Sequence, residues 1–169
     1  MAAAEVMHTA LAYFEAGRSE EACRLMQANI LDQMYFGQSP VNFGQISQYD
    51  AARGECYRDF GDCIGISART LIQGLFGIIP QALDGACIIR PGFPAAWDSA
   101  SIVTPYLSYQ FKRQDGQDVY EITQQFSRPL KIILRQNLGD GRYLDIEGTT
   151  AQHQVLKLHN RVGSYCVLF

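Results

Sequence analysis

The sequence predicts an α+β fold in which N-terminal helices pack against a C-terminal antiparallel β-sandwich. Apolar residues recur at helical spacing up to residue 34 and again over residues 64–79, and after Gly85 they alternate with polar residues as in strands. Glycine-containing turns then separate short strands at regular intervals, which is typical of a sandwich or a barrel. The change in periodicity predicts two domains, a helical segment over residues 1–84 and a sandwich over residues 85–169.

Two helices are predicted first, joined as an antiparallel hairpin. Apolar side chains between residues 6 and 14 share one face at helical spacing, and Gly17 is placed to end that helix. Ser19 is the predicted N-cap of the second helix, because acidic residues follow it near the positive end of the helix dipole. An apolar stripe over residues 22–34 completes this helix.

A long polar loop and a third helix follow. Helical periodicity disappears over residues 37–61, and a loop of this length in a compact fold is usually either functional or wrongly assigned as a loop. We interpret it as functional. Helical spacing resumes over residues 64–79 and stops at Pro80. Because this third helix is apolar on nearly every side, we predict that it is buried. Its Gly74 and Gly77 indicate close helix packing, since a phosphate loop needs a preceding strand and a lysine.

The remaining chain is predicted to form about seven short strands. A strand over residues 86–90 comes first, and Asp115-Gly116 is a hairpin turn signal between two of the later strands. The later strands are predicted over residues 107–112, 119–126, 130–135, 143–146, 154–159 and 164–168.

Composition and charge exclude several classes of partner. The chain has 169 residues, of which 47% are hydrophobic, so it can bury a packed core. Its net charge of -3 gives no attraction toward nucleic acid or anionic lipid. No segment approaches the roughly 20 apolar residues that a membrane helix requires. We therefore expect a soluble protein that binds neither nucleic acid nor a membrane.

Four segments carry a resemblance to a known family. They are R-G-E-C-Y over residues 53–57, G-L-F-G-I-I-P over 74–80, C-I-I-R-P over 87–91 and A-S-I-V-T-P-Y over 100–106. Their order is similar to the end of the catalytic domain and the following β-domain of bacterial α-toroid ((α/α)6) glycoside hydrolases, especially α-L-rhamnosidases. The resemblance implies that residues 1–84 are the end of an α/α toroid.

The resemblance also implies a catalytic role for one glutamate. Glu55 matches the position of the family's general base. An inverting glycosidase pairs such a base with a proton-donating carboxyl group roughly 6.5 to 9.5 Å away, and that acid would come from helices upstream of this chain. We therefore expect the C-terminal portion of a glycoside hydrolase, inactive alone, whose partners are an oligosaccharide substrate and those upstream helices.

Further residues around Glu55 are candidate sugar contacts. Polar groups bond sugar oxygens, and aromatic rings stack on the apolar faces of sugars. A solvated, salt-bridged loop is the alternative interpretation of the same residues. Asp59 and Asp62 are substitute bases, and Asp62 is equally suited to cap the next helix. The candidate substrate-binding residues are Tyr49, Asp50, Arg53, Tyr57, Arg58 and Asp59.

No cofactor or metal is expected. The three histidines are dispersed and the five cysteines form no C-x-x-C pair, so neither a metal site nor a disulfide scaffold is indicated. We interpret most of the cysteines as buried free thiols. The N-terminus lacks the basic region of a signal peptide, so no compartment is assigned. A periplasmic or secreted parent protein would carry its signal upstream.

Two alternatives belong to other functional classes. The first is a noncatalytic carbohydrate-binding or structural β-sandwich module, which predicts exposed aromatic residues in line on one strand face. Tyr120, Ile122 and Phe126 share a parity with apolar neighbours, so we expect them to be buried. The second is an incomplete piece whose helical face is normally covered by missing helices, which predicts an apolar surface and self-association.

Overall fold

The computed structural model describes residues 3–32, 62–139 and 142–159, and helices come first in it. Within these ranges, no helix is long and apolar enough to cross a lipid bilayer. The helices are α1 Ala3–Glu15, α2 Ser19–Ile30 and α3 Asp62–Arg69, and the π-helical segment Thr70–Leu75 continues α3.

Strands occupy the rest of the described chain and form two four-stranded sheets. One sheet has the order β1-β2-β6-β7 and the other has the order β3-β4-β5-β8. The helices followed by a sandwich-like pair of sheets confirm the predicted α+β class. The strands are β1 Ile78–Gln81, β2 Ala86–Ile89, β3 Ser99–Val103, β4 Leu107–Gln114, β5 Gln117–Gln124, β6 Lys131–Gly139, β7 Arg142–Glu147 and β8 His153–His159.

The chain divides into two compact units, each with buried apolar residues of its own. The first, called the helical unit, comprises Met1–Ile79, Arg90–Pro94 and Gln136–Tyr143. The second, called the sheet unit, comprises Pro80–Ile89, Ala95–Arg135 and Leu144–Phe169.

The turn between α1 and α2 confirms one prediction and corrects another. Gly17 has a φ of 77° and ends α1 as predicted. The Arg18 N–H donates to the Tyr13 carbonyl and the Gly17 N–H donates to the Phe14 carbonyl, which is the Schellman pattern. The prediction of Ser19 as N-cap was wrong. Arg18 occupies that position without a side-chain cap bond, because a single residue is left between the glycine and α2.

The third helix ends earlier than predicted and is less buried. Its π-helical segment stops at Leu75, and β1 begins at Ile78, within the range predicted as helix. The expectation that this helix is buried on every side was also wrong. Cys63 and Ile66 are buried, whereas Ile64 is 54% exposed and Leu71 is 40% exposed. The helix therefore has one buried face and one face with apolar residues at the surface.

A buried hydroxyl links α1 to the start of the π-helical segment. Thr70 is fully buried. Its hydroxyl lies 3.0 Å from the Met7 carbonyl of α1 and 2.8 Å from the Ile66 carbonyl of α3, and it donates to them. Because a buried polar group without a partner costs stability, this bond explains how threonine is tolerated in the core.

The sheet unit is built around the predicted β4–β5 hairpin. Asp115 and Gly116 both have positive φ, at 50° and 72°, as the two-residue hairpin turn requires. The core side chains Phe111 and Tyr120 face each other across this hairpin with ring centroids 5.3 Å apart. Strand β2, which is buried throughout, pairs in parallel with β6, so the sheets are not purely antiparallel.

Two strands were not among those predicted, and one predicted strand cannot be compared. β1 overlaps the last two residues of the predicted third helix, and β3 is a short run of serine and apolar residues. The strand predicted over residues 164–168 lies outside the described residues.

Candidate functional site

The predicted catalytic and substrate-binding residues lie outside the described residues. Their roles therefore remain predictions. Asp62, the substitute base, is the first residue of α3. The predicted residues that fall in the range 33–61 are Tyr49, Asp50, Arg53, Glu55, Tyr57, Arg58 and Asp59.

Within the helical unit, two segments that carry the resemblance lie against each other. The Arg90 N–H donates to the Gly77 carbonyl at 2.9 Å, and the Gly92 N–H donates to the Leu75 carbonyl at 2.9 Å. Gly77 has a φ of 67°, and a Cβ atom there would collide with the Arg90 carbonyl. Only glycine fits this turn. We call the contact formed by Gly74, Gly77, Arg90 and Gly92 the glycine junction.

The glycine junction encloses an aromatic side chain of α1. A Cβ atom at Gly74 would lie 2.6 Å from the Phe14 ring, and a Cβ atom at Gly92 would collide with the same ring. Phe76 and Phe93 extend the contact edge to face, with ring centroids 5.4 Å apart. These contacts confirm that the G-x-x-G segment serves close packing against a helix.

The β3-β4-β5-β8 sheet carries a second group of side chains, and these include polar groups able to bind a ligand. Its apolar face includes Tyr109, Phe111, Tyr120 and Ile122, all of which are buried. The opposite face, called the outer face, carries cross-strand rows of polar residues set by the strand register. One row is Val103, Ser108, Thr123 and His153, and the next is Ser101, Gln110, Glu121 and Val155.

These two rows border a depression of about 260 Å³, called the outer depression. Hydroxyl and amide groups both donate and accept hydrogen bonds, and an ionised carboxylate accepts them. The depression can therefore bind a polar ligand through several groups at once. Its polar lining is Ser101, Ser108, Gln110, Glu121 and Thr123, and its apolar lining includes Ile102 and Val103.

A histidine on β8 holds two of these polar side chains. A hydrogen bond of 3.1 Å joins His153 Nδ1 to the Thr123 hydroxyl, and His153 Nε2 lies 3.6 Å from the Glu121 carboxylate. A hydroxyl, an imidazole and a carboxylate in this order resemble a nucleophilic triad. However, the His153 and Glu121 side chains are both more than half exposed, whereas such triads depend on a water-excluded site. The arrangement suits binding better than covalent catalysis.

The outer depression was not predicted from the sequence. Polar residues at alternating positions indicate a solvated strand face, and that is the only local signal these residues give. Thr123 and His153 are separated by 30 residues in the chain, and the β5–β8 register brings them together. The prediction that each histidine is a surface or hydrogen-bonded residue is confirmed for His153.

Three aromatic residues of the sheet unit, Tyr109, Phe111 and Tyr120, are buried. Tyr120 and Ile122 are in the core as expected, while Phe126 is half-buried and stacks on Tyr106 with centroids 6.0 Å apart. Tyr106 is 62% exposed. Burial raises the pKa of Tyr109 and of Tyr120, so both phenols stay protonated and do not act as acids or bases near neutral pH.

The described cysteines agree with their interpretation as buried thiols. Cys23, Cys63 and Cys87 are buried, and none of the three is in a disulfide bond. Burial raises the pKa of the Cys23 thiol to about 11. Because the thiolate is the nucleophile, this side chain is unreactive at neutral pH.

Comparisons with known proteins gave only distant likenesses, all of them to solved structures. No protein-family model matches the chain, and no curated protein matches it. Among solved structures, the chain is similar to one described, provisionally, as a kojibiose phosphorylase from the human microbiome. The sequence identity is 12% and the TM-score is 0.47, over 90% of this chain and 19% of that one. The chain thus spans about a fifth of the length of that structure.

Proposed function

We propose that the chain is the C-terminal portion of a carbohydrate-active enzyme of the α-toroid glycoside hydrolase type. The observation that carries the proposal is the glycine junction. The segments that resemble the family, around Gly77 and Arg90, are bonded to each other and require glycine for steric reasons. Matching segments that contact each other support the proposed family more strongly than matching segments that lie apart in the fold.

In this proposal, the helices close a toroid and the sandwich after residue 85 braces it. The exposed Ile64 of α3 and Leu71 of the π-helical segment support this arrangement, because apolar side chains at such positions are normally covered by a neighbouring helix. The upstream helices of the parent enzyme would supply that cover. The substrate of the enzyme is an oligosaccharide, and α-L-rhamnosides are its first candidates.

The proposed general base is Glu55. It would activate water for attack on the sugar, while a carboxylic acid from the upstream helices protonates the leaving oxygen. Tyr49, Asp50, Arg53, Tyr57, Arg58 and Asp59 would bind sugar hydroxyls around it.

If the chain is instead a noncatalytic carbohydrate-binding module, it must bind sugars through a surface that is not lined by aromatic residues. Its prediction of aligned exposed aromatic residues finds no support at Tyr120 and Ile122, which are buried. A module that binds sugars through polar groups, or that only supports the toroid, is still compatible with the sheet unit.

The test is the turnover of a Glu55→Gln variant of the natural-length protein on an aryl α-L-rhamnoside and on a panel of oligosaccharides. We expect a loss of about 10² to 10⁴ in turnover, which is the usual contribution of a general base. Glu15→Gln, the same change at an exposed position of α1, is the control and should leave turnover unchanged. Unchanged turnover in Glu55→Gln would refute the assignment of the base.

A further inference from the structure

The polar lining of the outer depression has hydrogen-bonding capacity that the fold does not use. The side chains of Ser101, Ser108 and Gln110 make no hydrogen bond to any other residue in the part of the chain that the structure describes. Ser101 and Gln110 are exposed, and they face each other in the β3–β4 register. These three side chains are therefore available to a ligand.

One other lining group is oriented before any ligand arrives. The hydrogen bond between the Thr123 hydroxyl and His153 Nδ1 favours one rotamer of Thr123, while the Glu121 carboxylate lies 3.6 Å from His153 Nε2. A preorganised group binds a ligand with less loss of conformational entropy. The lining thus combines available groups on β3 and β4 with an oriented hydroxyl on β5.

The charge of the lining indicates the class of ligand. Glu121 is the one charged residue among the lining residues, and its carboxylate repels anions. The lysines of the outer face, Lys112 and Lys157, lie in the next cross-strand row and are not part of the lining. Phosphate and carboxylate ligands are therefore disfavoured. A neutral ligand rich in hydroxyl groups matches a lining of hydroxyls, an amide and a carboxylate.

The spacing of polar groups in the depression also fits such a ligand. Adjacent strands are about 4.8 Å apart, so each cross-strand row presents polar groups at that interval. The depression is open and its volume of about 260 Å³ is below the roughly 300 to 1,000 Å³ of pockets that hold drug-sized ligands, so it would hold only part of an oligosaccharide. Val103, which is 86% exposed, adds apolar surface for the C–H face of a sugar ring.

We propose that the outer depression is a binding site for a neutral oligosaccharide, with Ser101, Ser108, Gln110, Glu121 and Thr123 as its contacts. The site follows from the sheet geometry, whereas the choice of a sugar among polyhydroxylated ligands rests on the proposed function. The site is noncatalytic and separate from Glu55. It retains the carbohydrate while the reaction takes place elsewhere.

Isothermal titration calorimetry of the full chain tests the proposal. The probes are three uncharged trisaccharides, maltotriose, cellotriose and chitotriose, with trigalacturonate as the anionic counterpart. We expect at least one uncharged trisaccharide to bind. Gln110→Ala should weaken that binding by about tenfold, since it removes a polar contact. Gln114→Ala changes the same residue type on the same strand and face outside the depression, and it should alter Kd by less than about twofold.

The outcomes separate this proposal from the proposed function. No binding of any uncharged trisaccharide, tighter binding of trigalacturonate, or an equal loss in Gln114→Ala would each overturn the site. If Gln110→Ala fails to fold by circular dichroism, Ser101→Ala replaces it with the same expected direction. The trisaccharide Kd and the turnover of the Glu55→Gln variant are separate readouts, so unchanged turnover in that variant would overturn the catalytic assignment without overturning this site.

Discussion

The glycine junction and the outer depression differ in what they can do. The junction is formed from backbone groups, glycines and aromatic rings, and its Phe14 is buried. The depression is formed from exposed hydroxyl, amide, carboxylate and imidazole groups. Recognisable sequence motifs are therefore concentrated where the chain must pack closely, while groups able to meet a ligand occur at positions with no motif.

The largest expected effect comes from breaking the junction at Gly77. Gly77→Ala combines a positive φ with a collision against the Arg90 carbonyl, so we expect the free energy of unfolding to fall by about 2 to 5 kcal/mol. Gly85 has the same φ of 67° but nothing near its missing Cβ, so Gly85→Ala should cost only about 1 to 2 kcal/mol. Urea denaturation measures both. Equal losses in the two variants would show that the close contact contributes nothing.

A second change tests whether Gly74 is needed for close packing. Gly74→Ala should cost about 1 to 3 kcal/mol, because the new methyl group meets the Phe14 ring. Gly65→Ala, also in the third helix, meets nothing within contact distance and should stabilise the protein by up to about 1 kcal/mol. The sign of the two effects in thermal or urea unfolding is the readout. A stabilised Gly74→Ala variant would contradict the packing account.

A smaller effect is expected from the buried hydroxyl beside the junction. Thr70→Val keeps the shape of the side chain but removes the donor to the Met7 and Ile66 carbonyls, which should cost about 1 kcal/mol. Thr9→Val is the control, because its bond to the Glu5 carbonyl is exposed, and it should change stability by less than about 0.5 kcal/mol. The free energy of unfolding is measured by chemical denaturation. A larger loss in Thr9→Val than in Thr70→Val would refute the stabilising role of the buried Thr70 hydroxyl.

The smallest effect concerns a surface pair in the sheet unit. Hydrogen bonding to Arg135 lowers the pKa of Asp145, so the pair stabilises the fold above the pKa of an unfolded aspartate, about 3.9. This contribution is lost as the pH falls through the lowered pKa. The stability difference between wild type and Asp145→Asn should therefore shrink below about pH 4. Arg135→Gln should show the same trend. A stability difference from wild type that does not change with pH in either variant would contradict the stabilising role of the pair.

Elements that depend on neighbouring residues in the sequence were predictable, whereas elements that depend on distant contacts were not. Helices α1 and α2 and the β4–β5 hairpin follow from local spacing and from turns at Gly17 and Asp115-Gly116, so the sequence was sufficient for them. The end of the third helix was not predictable. Just after that end, the Arg90 N–H donates to the Gly77 carbonyl, and a contact between distant segments leaves no periodic signal.

The candidate sites show the same limit. The parallel pairing of β2 with β6 and the meeting of Thr123 with His153 both require a register between strands far apart in the chain. Alternation predicts which residues face outward but not which of them become neighbours. Glu55 and its predicted companions lie outside the described residues, so the predicted catalytic site rests on the resemblance alone.

The most direct test of the contrast between the two regions is to map ligand-induced shifts on the labelled full chain by heteronuclear NMR. Maltotriose, cellotriose and chitotriose are added in turn. We expect the backbone amides of β3, β4, β5 and β8 and the Gln110 side-chain amide to shift on saturation, while the amides of Gly74, Gly77 and Gly92 do not. Shifts at the glycine junction with none on the outer face would contradict this expectation.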